Sequence, residues 1–125
     1  MTNTYFNTIE EALEDFKSGK PLIVADDEDR ENEGDLIISA EFATPEFINF
    51  MARECRGLIC LAISSEIAEK LELPQMVSKN TESMQTAFSL SIDAHPKYGV
   101  TTGISALTEQ KQLKLLSHPM PFLRT

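Results

Sequence analysis

Residues 22–38 read LIVADDEDRENEGDLII. Two apolar runs, 22–25 after Pro21 and 36–38, have the length and composition of buried strands. Between them, residues 26–35 pack seven carboxylates into ten positions with one arginine, Arg30, and one glycine, Gly34. The acidic stretch is therefore a connection between two strands.

Outward from this segment, helical and strand-like patterns alternate. Upstream, Thr8 and Glu11 make a capping box, and Ile9, Ala12, Leu13 and Phe16 fall at helical spacing before Lys17, Gly19 and Lys20. Downstream, Thr44–Pro45 starts a helix with Phe47, Phe50 and Met51 on one face and Gly57 placed to end it. Residues 58–62 are expected as the next strand, Ser64 or Ser65 caps a helix running through Leu71, and residues 74–84 read as loop. Phe88, Leu90 and Ile92 alternate with Ser89, Ser91 and Asp93, the period of two that marks a strand with one buried face. The expected class is α/β, an α+β layered sandwich with a mixed sheet and flanking helices, incomplete at the C-terminus.

Composition narrows the function classes. The chain has 125 residues and is 42% hydrophobic, enough for one domain with its own core, and no repeat or linker divides it. Twenty acidic against eleven basic residues give a net charge of −9, without the basic stripe that nucleic acid requires. Neither end has a secretory pattern and no apolar run approaches the length of a membrane span, so a cytoplasmic protein is expected, with no membrane partner. Cys55 and Cys60 are then expected as free thiols, and the five methionines as core filler. His95, before Pro96, reads as a surface loop residue, since no carboxylate or second histidine stands at metal-type spacing to it.

Crowded carboxylates repel unless the loop is open to water or a cation offsets them. Hard oxygen donors suit magnesium or manganese, and magnesium uses one or two protein carboxylates while water and substrate complete its shell. Asp27, Glu31, Glu33 and Asp35 are thus candidate ligands or bases, with a plain solvated acidic turn as the alternative. A calcium loop counted from Asp29 would place Gly34 sixth, but its twelfth position is Ala40 instead of the required glutamate.

The stretch DDEDRENEGDL at 26–36 resembles the signature loop of 3,4-dihydroxy-2-butanone 4-phosphate synthase, and RGLICLA at 56–62, TAFSLSIDA at 86–94 and GVTTGISA at 99–106 resemble that family in the same order. An ordered set of blocks is far more specific than a single short motif. The resemblance implies a lyase of riboflavin biosynthesis. It would convert ribulose 5-phosphate to 3,4-dihydroxy-2-butanone 4-phosphate and formate with magnesium or manganese, at an active site in a homodimer interface. By motif position it implies Glu31 as metal ligand and Arg30 and Asp35 as contacts to the sugar phosphate, with Asp27, Glu31 and Glu33 as catalytic candidates. Cys60 would sit beside the substrate, although a buried cysteine filling a strand is the chemical alternative. Thr101 and Thr102, in a polar turn with Gly103, would hold substrate oxygens, a plain turn being the alternative.

The resemblance stops at Ala106. The family continues with Asp-Arg-Ala-x-Thr-Ile and later supplies a histidine ligand and a glutamate, whereas this chain reads LTEQKQLKLLSHPMPFLRT. His118 has neither the neighbours nor the spacing of that ligand. Codons exist for residues 107–114 that, read from the third base of Leu107, give Asp-Arg-Ala-Lys-Thr-Ile-Lys, and the same offset turns 119–125 into Asn or Asp followed by Ala-Val-Pro-Glu-Asp. Residues 1–106 are therefore expected to be the N-terminal portion of a synthase domain, and 107–125 a divergent, out-of-frame tail. Little or no synthase activity is expected of the chain alone, and truncation would leave apolar faces and strand edges uncovered. A non-catalytic acidic metal-binding or interaction module is the competing reading.

Overall fold

The computed structural model describes residues 6–101 and 105–117. Thr8 opens helix α1 (Ile9–Lys17) through the expected capping box. Its hydroxyl accepts from the Glu11 amide at 3.2 Å, and the Glu11 carboxylate accepts from the Thr8 amide at 2.9 Å. The chain leaves α1 through Gly19 at φ +84°, where a Cβ would stand 2.7 Å from the Phe42 ring. Both the left-handed backbone and this close approach demand glycine.

Strand β1 (Leu22–Ala25) follows and pairs antiparallel with β2 (Gly34–Ile37), in the register Leu22↔Ile37, Ile23↔Leu36, Val24↔Asp35 and Ala25↔Gly34. The second strand starts two residues before the apolar run, because Gly34 and Asp35 join the ladder. The Asp26 amide donates to the Glu33 carbonyl at 2.9 Å and narrows the connection to residues 27–32. The two strands were expected to be buried, yet Ile23 is 78% and Val24 48% exposed. A two-stranded ribbon has two faces, and α1 approaches only part of one.

Thr44 caps α2 (Pro45–Phe50) by accepting from the Phe47 amide at 3.2 Å, with Pro45 at the first helical position. The helix widens into a π-type turn at Met51–Cys55 and stops at Arg56, φ +57°, one residue before the glycine expected to stop it. Ser64 caps α3 (Ser65–Lys70), its hydroxyl accepting from the Ile67 amide at 3.3 Å.

Two expected strands do not form. Residues 58–62 join no ladder, and Leu58 is 81% exposed. Residues 88–92 contribute a single bridge, Gln75↔Ser89, flanked by bonds from the Met76 amide to the Phe88 carbonyl (2.8 Å) and from the Leu90 amide to the Pro74 carbonyl (3.1 Å). Pro74 accepts but has no N–H to return, which blocks extension of the ladder at that end. Period-two alternation was therefore real, but its partner segment is too short to make a strand.

Helix α4 (Ala106–Ser117), in the region where no element was expected, brings Thr108 into the core. It packs on α2 and on the 3₁₀ turn Ala40–Phe42. Ser105 caps it, accepting from the Thr108 amide at 3.2 Å while donating to the Thr108 hydroxyl at 2.9 Å. Ala43, Ile48 and Val100 are the buried apolar residues of the described chain, with Thr108 beside them. Met76 and Met84 lie exposed, contrary to the expectation of core filler. The accessible surface of 10376 Å² exceeds the roughly 6,700 Å² of a compact 14.0 kDa monomer. Helices around a small antiparallel sheet place the chain in the α/β class, with its layers largely open. No helix among the described residues is long and apolar enough to cross a membrane.

Candidate functional site

The acidic connection is organised around Asp26. One carboxylate oxygen accepts from the Asp27 amide at 2.9 Å; the other accepts from the Arg30 guanidinium at 2.7 Å and from the Glu31 amide at 3.1 Å. The Arg30 amide donates to the Asp27 carbonyl at 3.0 Å, so residues 27–30 form a turn that folds Arg30 back over Asp26. Glu31 completes the group with a carboxylate oxygen 3.5 Å from the guanidinium. Partial burial pushes the Asp26 carboxyl up, but the two amides and Arg30 outweigh it and hold the group below the usual carboxylate range. The bond to Asp26 and the charges around it raise Arg30 above its ordinary value, so it stays cationic.

Asp26 was not among the candidate residues, although Arg30 four positions on was the available signal, since a carboxylate and a guanidinium at that spacing meet across a tight turn. Asp27, Glu31 and Glu33 lie exposed at the tip, and Asp35 is exposed within β2 opposite Val24. Thr101 is exposed; Thr102 and His118 lie outside the described residues. Cys60 is an exposed free thiol outside any strand, not a buried strand filler, and Cys55 is also free. Cys60 lines an open groove of about 680 Å³ between residues 59–63, 89–95 and α4, and no residue of the acidic tip lines that groove. His95 caps the short turn Pro96–Tyr98, its Nδ1 accepting from the Lys97 amide at 3.2 Å, as befits a loop residue.

Glu109 also borders the groove. Burial raises its carboxyl above the ordinary value of 4.5, and the negative charge of Asp93 adds to the effect. An acid raised on folding gives full stability below its unfolded value and loses it as pH rises through the folded value. Glu109→Gln should therefore stabilise the chain near neutral pH by roughly a few tenths of a kcal/mol, as screened surface charges allow. The gain should fade below pH 4.5. Urea midpoints at both pH values check this, and an equal gain at both refutes the titration as its cause.

The donor chemistry of the tip suits a hard divalent cation. Glu31 offers an exposed carboxylate, and magnesium needs only one or two such protein ligands. Among the described residues no three histidine, cysteine or carboxylate side chains converge, so a closed, zinc-type site does not fit. A guanidinium on the same exposed turn adds a fork suited to phosphate.

The sequence profile of 3,4-dihydroxy-2-butanone 4-phosphate synthase matches residues 10–121. The chain belongs to the 3,4-dihydroxy-2-butanone 4-phosphate synthase family. The matched span starts inside α1 and runs past α4, so it takes in most of the residues after Ala106. Riboflavin biosynthesis protein RibBA of Synechocystis is 56% identical over 115 residues, covering 92% of this chain and 21% of that protein. The 3,4-dihydroxy-2-butanone 4-phosphate synthase of Helicobacter hepaticus is 48% identical over 124 residues, covering 96% and 34%. Among solved structures, a synthase of the family in complex with two magnesium ions superposes with a TM-score of 0.84 at 43% identity, covering 91% of this chain and 52% of the other. The chain thus spans between a fifth and about half of the length of these relatives.

Proposed function

We propose that the chain carries the metal- and sugar-phosphate-binding portion of a synthase that converts ribulose 5-phosphate to 3,4-dihydroxy-2-butanone 4-phosphate and formate. The observation that carries this reading is the exposed turn on which Asp26 holds Arg30 beside Glu31. Arg30 binds the phosphate through its planar fork, and Asp35 on the adjoining strand takes a sugar hydroxyl. Asp27 and Glu33 flank the turn and move protons to and from the carbon beside the substrate carbonyl. Glu31 would hold magnesium or manganese, which when bound supplies positive charge against the oxyanion that develops there. Cys60 and the threonines at 101 and 102 would contact the substrate on the strength of the family motifs alone, since the Cys60 groove and the acidic tip share no lining residue. The magnesium complex of the related synthase supports the metal assignment.

The reaction belongs to riboflavin biosynthesis in the cytoplasm, and the intact domain acts as a homodimer. On this reading residues 107–125 would be an out-of-frame tail, against the family profile's extension to residue 121, and the chain as it stands would release little or no formate. A second reading, a non-catalytic acidic metal-binding or interaction module, draws on the departure of residues 107–125 from the family's Asp-Arg-Ala-x-Thr-Ile segment. Formate release from ribulose 5-phosphate with magnesium separates the two, comparing this chain with one whose reading frame is shifted after Ala106. Activity only in the shifted chain supports both the function and the frameshift. Activity in this chain overturns the frameshift and the expected inactivity, and activity in neither favours the module.

A further inference from the structure

Residues 94–99 are tied to helix α4 at both ends by adjacent side chains of that helix. At one end the Ala94 amide donates to the Gln112 side-chain oxygen at 2.8 Å. At the other the Lys111 ammonium donates to the Gly99 carbonyl at 2.9 Å. The two bonds join residues 18 and 12 positions apart in the sequence, so neither follows from local chain geometry.

Between these ties the chain is shaped by its near neighbours. His95 Nδ1 accepts from the Lys97 amide, the Tyr98 amide donates to the His95 carbonyl at 3.0 Å, and the Gly99 amide donates to the Pro96 carbonyl at 2.8 Å. Gly99 closes the turn at φ +78°, a backbone that glycine adopts freely. Such bonds give the turn its form but do not place it on the molecule; the bonds to α4 do. Directly after the turn, Val100 is 3% exposed and anchors the chain in the core, and Thr101 follows on the surface. The Gly99 carbonyl shares one planar peptide unit with the Val100 amide. Lys111 therefore fixes the plane from which the chain passes through Val100 to Thr101.

We propose that Lys111 and Gln112 are positioning residues: by gripping both ends of residues 94–99, they fix where Thr101 presents its hydroxyl to the substrate. The inference rests on the reading that Thr101 contacts the sugar phosphate, and it names what holds that contact in place. A group held in position before its ligand arrives loses less freedom on binding. Both residues lie after Ala106, outside the blocks of sequence that resemble the family.

The test titrates the chain with ribulose 5-phosphate in magnesium and compares it with Lys111→Met, Lys111→Arg, Gln112→Ala, Thr101→Ala and the double variant Lys111→Met, Thr101→Ala. Thr101→Ala should weaken binding about fivefold, the scale of one hydrogen bond. Lys111→Met should weaken it about threefold, with Lys111→Arg, which keeps a donor, between it and the parent. Gln112→Ala should weaken it about threefold and lose about fivefold hydrogen-exchange protection at the Ala94 amide. The double variant should bind no worse than Thr101→Ala, because Lys111 acts only through that residue. Since the Lys111 bond is exposed, its loss should leave the urea midpoint nearly unchanged, which keeps this comparison readable even where Gln112→Ala unfolds. A loss from Lys111→Met that persists in the Thr101→Ala background shows a charge or stability effect and overturns the positioning role. Unchanged binding in either single variant at 111 or 112 overturns the role of that residue. A parent that binds while Thr101→Ala binds equally well removes the Thr101 contact and this role with it, and leaves the Arg30 contact standing. A parent that binds no ribulose 5-phosphate overturns the sugar-phosphate reading as a whole.

Discussion

Arg30→Ala is expected to weaken ribulose 5-phosphate binding by at least about tenfold, since a hydrogen bond to a charged group contributes roughly 1.5–3 kcal/mol. The same change removes the cation that Asp26 and Glu31 now share. Magnesium binding in the absence of substrate should therefore hold or tighten, because the tip becomes more negative. Arg30→Lys should keep part of the sugar-phosphate affinity, as a point charge replaces a planar fork. Titrations with magnesium alone and then with ribulose 5-phosphate measure the two effects separately. If Arg30→Ala lowers both affinities equally, the guanidinium is a structural tie and not a phosphate contact.

Ile48→Ala should unfold the chain or come close to it. Ile48 is 2% exposed and sits where α2 meets α4, the principal helix contact among the described residues. Truncating a buried isoleucine to alanine costs about 2–5 kcal/mol. The described core contains only Ala43 and Val100 as further buried apolar residues, so little remains to absorb the loss. Loss of the helical circular dichroism signal, or a sharply lowered urea midpoint, is the expected result. A midpoint that barely moves would falsify the assignment of the α2–α4 contact as the structural centre.

Features encoded within a few residues were legible in the sequence. Thr8 with Glu11, Thr44 with Pro45, and Ser64 each mark a helix start that the structure contains. A cap is a bond between neighbours and needs no knowledge of the rest of the chain. The two strands of the hairpin were legible as apolar runs on either side of one short connection, but not their antiparallel pairing. The strand at 88–92 failed because ladders are made with distant residues, and its partner turned out to be a segment interrupted by Pro74. Likewise Arg56 stops the helix through its own left-handed backbone, where composition favoured Gly57.

The candidate site divides along the same line. Arg30 and Glu31 meet within one turn, which spacing alone can express, and their organiser Asp26 was overlooked although it obeys the same spacing. Cys60 and Thr101 depend on how separate parts of the chain approach one another, and the acidic tip and the Cys60 groove have no lining residue in common.

The large accessible area has a consequence for how this chain comes apart. Both the heat capacity of unfolding and its sensitivity to denaturant scale with newly exposed surface. A fold that leaves Ile23 and Leu58 so open in its native state has less surface left to reveal. Its urea transition should be shallow and its stability nearly flat with temperature, so that warming or cooling by a few tens of degrees shifts the folded fraction only gradually.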